Sequence, residues 1–145
     1  VGEKEMNIDP LISAYLADQE TYKSGNVIIE EGSKGDWVYI VLEGQVKVTK
    51  RTSVGLLTMD VLKKGAIFGE MALFGKALQA RSASVIAADG NARVGVLDTR
   101  QLMAEYESLS LELRSVIKAL ITGLAESNGK AAALVVAANK KGHKN

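Results

Sequence analysis

The chain has 145 residues, 47% apolar and 24% charged, the profile of one globular domain with a core large enough to fold without cross-links. It holds no cysteine and one histidine, His143 in a Lys-rich tail, which excludes disulfides, thiolate metal sites and cysteine nucleophiles and leaves almost nothing for a histidine-ligated metal or a Ser–His–Asp relay. Eighteen basic against seventeen acidic residues give a net charge of +1, no footprint for nucleic acid.

The first residues, Val-Gly-Glu-Lys-Glu, are charged and carry no apolar stretch, so no secretory signal is read there and the cytoplasm is the expected compartment. Asp9-Pro10 is an N-cap followed by proline at the first helical position, predicting a short helix through about Ala17. Gly25, Gly32, Gly44, Gly55 and Gly65 then fall 7 to 12 residues apart with β-branched residues between them, the punctuation of short strands. The pattern predicts strands near 20–23, 27–30, 37–43, 45–51, 55–62, 66–68, 83–88 and 92–98. Val38, Ile40 and Leu42 share one face, with Trp37, Tyr39, Val41 and Glu43 on the other. Glu43-Gly44 reads as a hairpin turn needing positive φ, after which Val46 and Val48 point inward. The fold class is mainly β with flanking helices: an eight-stranded antiparallel β jelly roll, a short N-terminal helix and two C-terminal helices.

The stretch from Gly65 to Val85 breaks this grammar with three glycines, a carboxylate and an arginine. Gly69 removes a side chain where backbone can approach a ligand or adopt positive φ. Glu70, Met71, Ala72 and Leu73 are helix formers whose first N–H groups suit an anion. Arg81 supplies forked donors matching two phosphate oxygens, and Ser82 adds a hydroxyl. Glu70 is an acceptor suited to a sugar hydroxyl. The set is complementary to a phosphate joined to a ribose, but an Arg81–Glu70 ion pair closing a loop explains the same residues.

Farther on, Asp98-Thr-Arg-Gln101 reads as a capping box, with Leu102, Met103 and Tyr106 as the helix's apolar side. Ser110 opens a longer helix with Leu113, Val116, Ile117, Leu120, Ile121 and Leu124 at three- to four-residue steps. That stripe has two uses open to it: packing on the chain's own roll, or pairing with a second copy. Asn128-Gly129 is a stop, after which Ala131–Asn139 can resume as helix. The longest apolar run, Ala131–Ala138, is far short of the roughly 20 residues a bilayer crossing needs, so no membrane segment is read. The four lysines after Ser127 stand in a stretch without acids, a solubilising tail or one for a membrane surface or nucleic acid. One domain covers 1–145: the roll over about 20–98, helices over about 99–139 and a basic tail over 140–145.

Several ordered groups carry a family resemblance: Tyr22-Lys-Ser-Gly25 before Val27-Ile-Ile, Glu31-Gly32 before Gly35-Asp36, Tyr39-Ile-Val-Leu-Glu-Gly44 before Val46-Lys-Val48, and Phe68-Gly-Glu-Met-Ala-Leu73 with Arg81-Ser-Ala-Ser84. From about Tyr22 to Leu97 the chain resembles a cyclic nucleotide-binding domain of the kind found in bacterial catabolite activator proteins, cyclic-nucleotide-dependent kinases and gated channels. The resemblance implies a ligand set of Gly69, Glu70, Met71, Ala72, Arg81, Ser82 and Ala83. Glu70 would accept from the ribose 2′-hydroxyl, and Arg81 would hold the cyclic phosphate with Ser82 and the Ala72 backbone N–H. Ser127 or Asn128 would meet the purine; either also serves as a helix C-cap. Ten residues separate Glu70 from Arg81, a slightly longer loop than in several familiar members. Serine at position 82 is similar to bacterial cyclic AMP regulators, so cAMP is favoured and cGMP is the second candidate.

The function so implied is a non-catalytic regulatory sensor in which a 3′,5′-cyclic nucleotide repositions the C-terminal helices, with no other cofactor. The alternative is an effector-domain fragment of a catabolite-activator-type transcription regulator, or of a larger kinase, channel or transporter. No helix-turn-helix pattern follows the roll, so no DNA-binding domain is read in this chain. A metal-dependent β-roll enzyme would need a histidine cluster, and the chain has one histidine.

Overall fold

β-Branched and aromatic residues recur through two long stretches, and these become the two longest strands of the molecule. The computed structural model describes residues 10–35, 37–69 and 81–123. In chain order they form α1 (Pro10–Ser13), β1 (Leu16–Tyr22), β2 (Val27–Ile29), β3 (Val38–Thr52), β4 (Gly55–Lys63), β5 (Ile67–Phe68), β6 (Ser84–Leu97) and α2 (Thr99–Glu107), followed by helix α3 over 111–123. The Asp9 cap, the segment 70–80, Leu124, the resumed helix after Gly129 and the basic tail lie outside the described residues.

Every strand pairing is antiparallel, in the order β1-β6-β3-β4, with β2 also on β6 and β5 also on β3. Each long strand serves two layers. The first half of β3 pairs with β5 and with the second half of β6, which β1 flanks; the second half of β3 pairs with β4 and with the first half of β6, which β2 flanks. Two four-stranded layers of a jelly roll result. The eight predicted strand segments are thus found as six strands among the described residues, because 37–43 runs on into 45–51 and 83–88 into 92–98.

The hairpin predicted at Glu43-Gly44 does not form. Gly44 does take positive φ (77°), but as a corner within β3, where the β6 partner steps from Arg93 opposite Glu43 to Ala88 opposite Gln45. Asp89 (φ 56°) and Gly90 (φ 118°) bend β6 at the same place. Extra residues at such a bulge flip the side-chain phase. Tyr39 and Val41 face the core before the corner and Val46 after it; Val85 and Ala87 face it on one side, Ala92, Val94 and Val96 on the other.

These residues, with Ile29 and Phe68, fill the space between the layers. The outer face of the first layer is covered too: Val38, Ile40, Leu42 and Leu97 pack against Ile12, Tyr15, Leu16 and Leu102. Val38 through Leu42 is therefore buried on both faces, making this half of β3 the wall between core and helices. Burying one such side chain contributes about 1.5–3 kcal/mol.

α1 is shorter than predicted, ending at Ser13, because Leu16 is already in the sheet opposite Leu97. Asp98 caps α2 by accepting from the Gln101 backbone N–H at 3.0 Å. The reciprocal half of the capping box is not made. The Asp98 N–H already donates to the Tyr15 carbonyl (2.7 Å), and the Gln101 side chain reaches forward to Glu105 instead. The Tyr15 hydroxyl donates to the same Glu105 carboxylate at 2.6 Å, tying α2 to the chain before β1. That bond, with burial and the Glu105 charge behind it, pushes the Tyr15 hydroxyl pKa up.

Ser110 opens α3 as predicted, its hydroxyl accepting from the Leu113 N–H at 3.2 Å. The Tyr106 hydroxyl donates to the Arg114 carbonyl and joins α2 to α3. Over the described part of α3 the apolar stripe is divided: Leu113, Val116 and Leu120 are 46%, 55% and 66% exposed, while Ile117 and Ile121 are half-buried. Among the described residues, no helix is long and apolar enough to cross a membrane.

Candidate functional site

The site begins where β5 ends. Phe68 pairs with Tyr39 across the ladder and stacks on it, ring centroids 5.1 Å apart and planes 15° from parallel. An aromatic contact of this kind adds about 0.5–1.5 kcal/mol beyond the area it buries. It fixes the exit of the strand, so Gly69 arrives at a set place. There Gly69 takes φ +81°, and a Cβ on it would lie 2.8 Å from the Trp37 carbonyl oxygen. Both the positive φ and the close approach require glycine. Of the two reasons the sequence offers for glycine here, positive φ is found; the close approach found is to the Trp37 carbonyl, where the sequence suggests a ligand.

Arg81 is brought to the same spot by the loop after β2. Its backbone N–H donates to the Ser33 carbonyl (2.7 Å), and its carbonyl accepts from the Gly32 N–H (2.8 Å). The Glu31 N–H donates to the Ser84 hydroxyl at 2.8 Å, extending the clasp. With the backbone so held, the guanidinium donates through Nη2 to the Trp37 carbonyl (3.0 Å) and through Nη1 to the Gly69 carbonyl (3.3 Å). Gly35 passes within 3.5 Å of Nη2, measured from where its Cβ would stand.

The described residues give this guanidinium two neutral acceptors and no carboxylate. Carbonyl dipoles orient the cation without cancelling its charge. Among the described residues it stands as an oriented positive charge on the wall of a hollow of about 360 Å³, whose lining includes Ile29, Glu30, Ser33, Lys34, Trp37 and Tyr39, while Glu70, its candidate ion-pair partner, lies outside them. A hollow of that size, its wall part apolar and part polar, has room for a small molecule. Burial pushes the Tyr39 hydroxyl pKa up, the Glu20 charge adds to the rise, and Arg81 opposes it. Burial also pushes Tyr22 up, reinforced by its 2.6 Å hydrogen bond to Glu20. Both phenols therefore stay neutral in the physiological range.

Of the predicted ligand residues, Gly69, Arg81, Ser82 and Ala83 are described. Gly69 and Arg81 meet through the 3.3 Å hydrogen bond; Ser82 is exposed beside them and its carbonyl accepts from Lys50 Nζ at 2.5 Å; Ala83 is half-buried at the entry to β6. Glu70, Met71, Ala72, Ser127 and Asn128 lie outside the described residues. The Trp37 carbonyl and the contacts of Glu31, Gly32, Ser33 and Lys50 were not legible in the sequence. A carbonyl acceptor leaves no trace in residue type, and Lys50 is remote from Ser82 in sequence.

Comparison with known proteins agrees with this geometry. The family model described as the cyclic nucleotide-binding domain matches residues 19–108. The chain is 37% identical over 101 residues to the cGMP-dependent protein kinase egl-4 of Caenorhabditis elegans, covering 66% of this chain and 13% of the kinase. It is 32% identical over 76 residues to the cAMP-dependent protein kinase regulatory subunit of Mycosarcoma maydis, covering 52% of this chain and 14% of that subunit. It thus spans well under a fifth of the length of either relative. Among solved structures, the EAL enzyme Bd1971 in its cAMP and cyclic-di-GMP bound form superposes with a TM-score of 0.69 at 28% identity, over 81% of this chain and 31% of that one. The catabolite activator protein of Thermus thermophilus superposes with a TM-score of 0.64 at 25% identity, over 90% of this chain and 62% of that one.

Proposed function

The chain belongs to the cyclic nucleotide-binding domain family, and from that premise we propose that it binds a 3′,5′-cyclic nucleotide, cAMP in preference to cGMP, as a regulatory sensor without catalysis of its own. The observation that carries the reading is the Arg81 guanidinium, held by two carbonyl oxygens on the wall of the hollow with its charge uncancelled among the described residues. A cyclic phosphate is the complementary anion. Glu70 takes the ribose 2′-hydroxyl, Ser82 and the Ala72 N–H complete the anion cage, and Gly69, Met71 and Ala83 line it. Ser127 or Asn128 meets the base. Serine at 82 supports the choice of cAMP, while relatives named for cGMP make cGMP the competitor to test.

Occupancy acts on the helices that follow the roll. α2 is tied to the segment before β1 through Tyr15 and Glu105, and α3 to α2 through Tyr106 and Arg114. Ligand shifts this arrangement only by binding one position of the helices more tightly than another. The exposed Leu113, Val116 and Leu120 favour pairing with a second copy as the use of the α3 stripe. What the sensor controls in a whole protein, whether kinase, channel, transporter or transcription regulator, is supplied by other parts.

Titration calorimetry with cAMP, cGMP and 5′-AMP tests the reading. Cyclic AMP binds with micromolar or tighter affinity, about −8 kcal/mol, and 5′-AMP much more weakly. Arg81→Ala lowers cAMP affinity by roughly 100-fold or more, because it leaves a phosphate charge without its partner. Equal affinity for 5′-AMP, or no heat with any of the three, overturns the reading.

A further inference from the structure

The direction of the Arg81 guanidinium depends on how the β3–β6 ladder ends. Its last pair is Thr49 with Ser84. Carried on in register, the ladder would set Arg51 opposite Ser82. The strands part there instead, and each of those two backbones takes a side-chain partner. The Arg51 N–H donates to Glu31 Oε1 at 2.8 Å, and the Ser82 carbonyl accepts from Lys50 Nζ at 2.5 Å. Glu31 Oε2 and Lys50 Nζ face each other at 4.0 Å. An ion pair therefore stands between the diverging strand ends, satisfying on each side a group that the sheet has let go.

We propose that Glu31 and Lys50 are positioning residues for the anion site. By tying the Ser82 carbonyl to β3 through a long side chain where a backbone pair would otherwise form, they leave the Arg81–Ala83 segment turned toward the loop after β2, so that the guanidinium reaches the Trp37 and Gly69 carbonyls. The inference rests on the reading of Arg81 as the phosphate anchor. Neither residue lines the hollow, so any effect on ligand travels through the backbone of Arg81 and Ser82. The geometry closes on itself: Glu31 sends its carboxylate to β3 and its own N–H to the Ser84 hydroxyl, while its neighbours Gly32 and Ser33 clasp the Arg81 backbone from both sides. The side chains are 34% exposed for Lys50 and 25% for Glu31, so solvent screens the pair and its direct share of folding stability is small. Affinity is where its loss shows.

The test compares wild type with Lys50→Met, Lys50→Arg, Glu31→Gln and the Lys50→Met/Glu31→Gln double variant, reading cAMP affinity and dissociation rate at a temperature well below each variant's Tm. Lys50→Met and Glu31→Gln each lower affinity about tenfold, mainly through faster dissociation. The double variant is little worse than either single one, because both break one linked unit. Lys50→Arg, which keeps a cation within reach of the Ser82 carbonyl, recovers most of the loss. Unchanged affinity in both Lys50→Met and Glu31→Gln, with wild type binding normally, overturns the positioning role and leaves the phosphate-anchor reading intact. Equal loss in Lys50→Met and Lys50→Arg also overturns it. A wild-type protein that binds no cyclic nucleotide removes the anchor reading itself, and this inference with it.

Discussion

The β3–β6 ladder slips register at its corner and stops at its end, and the two breaks are closed by different means. At the corner, between Glu43 and Gln45 on one strand and Arg93 and Ala88 on the other, backbone closes the gap. Gly44 tucks against the Asn91 carbonyl so closely that a Cβ would run into it. Side chains there only decorate the outside: Arg93 bridges Gln19 and Glu43, and Gln45 donates to Asp89. At the end, beyond Thr49 and Ser84, side chains do the closing, and Glu31 and Lys50 stand where the next backbone pair would be. A break closed by backbone bends the sheet while keeping it sealed. A break closed by side chains leaves the strands apart, and beside that opening the protein places its guanidinium. The first makes a roll out of two long strands; the second lies beside the Arg81 backbone and bears on where its guanidinium points.

The comparison is sharpened first by Gly44→Ala. The substitution forces positive φ on an L-residue and drives a methyl against the Asn91 carbonyl, costs that together come to about 2–4 kcal/mol of folding stability. Urea denaturation reads the loss, and cAMP affinity of the folded protein stays at the wild-type value. A changed affinity would show that the corner is not separate from the site. Gly69→Ala is the counterpart at the ligand end. It meets a positive φ of 81° and the Trp37 carbonyl at 2.8 Å, so stability falls by about 1–2 kcal/mol. Because the Gly69 carbonyl also anchors Arg81, affinity falls as well, by about tenfold. Calorimetry on both variants separates the two breaks: one variant loses stability alone, the other stability and binding together.

Much of the roll was legible because glycine spacing and β-branched runs report strand segments directly. Val38–Leu42 and Val46–Val48 were placed by alternation alone. The count of separate strands was not legible. Glu43-Gly44 is as suitable for a hairpin as for a corner, and only the partner strand, bending at Asp89 and Gly90, decides between them. The capping box at Asp98 was half legible for a similar reason: the sequence shows the cap, but not that the Tyr15 carbonyl has already taken the Asp98 N–H. At the site, Gly69 and Arg81 stood out by residue type and by resemblance. What aims them did not, since the acceptors are the carbonyls of Trp37 and Gly69, and the positioning pair joins residues distant in sequence.

The smallest effect concerns charge at the corner. The Arg93 hydrogen bond, helped by its charge and that of Lys64 and opposed by slight burial, holds the Glu43 carboxyl below its ordinary value of 4.5. A carboxyl depressed in the folded state binds its proton more readily when the chain unfolds. Whatever the pair contributes is therefore fully present above about pH 4.5 and is lost as pH falls through the lower folded value. Wild type then has a slightly higher Tm than Glu43→Gln at neutral pH, and the gap closes on acidification below 4.5. The group is solvent-exposed, so the gap is small and shrinks in salt. Thermal melts of the two proteins across that pH range, at low and high ionic strength, measure it, and calorimetry at neutral pH finds equal cAMP affinity. A gap that persists unchanged well below 4.5 means that the Glu43 side chain acts there by shape. An affinity that follows the charge of Glu43 means that the corner feeds the ligand site after all, and the division between a break that folds and a break that binds would fail.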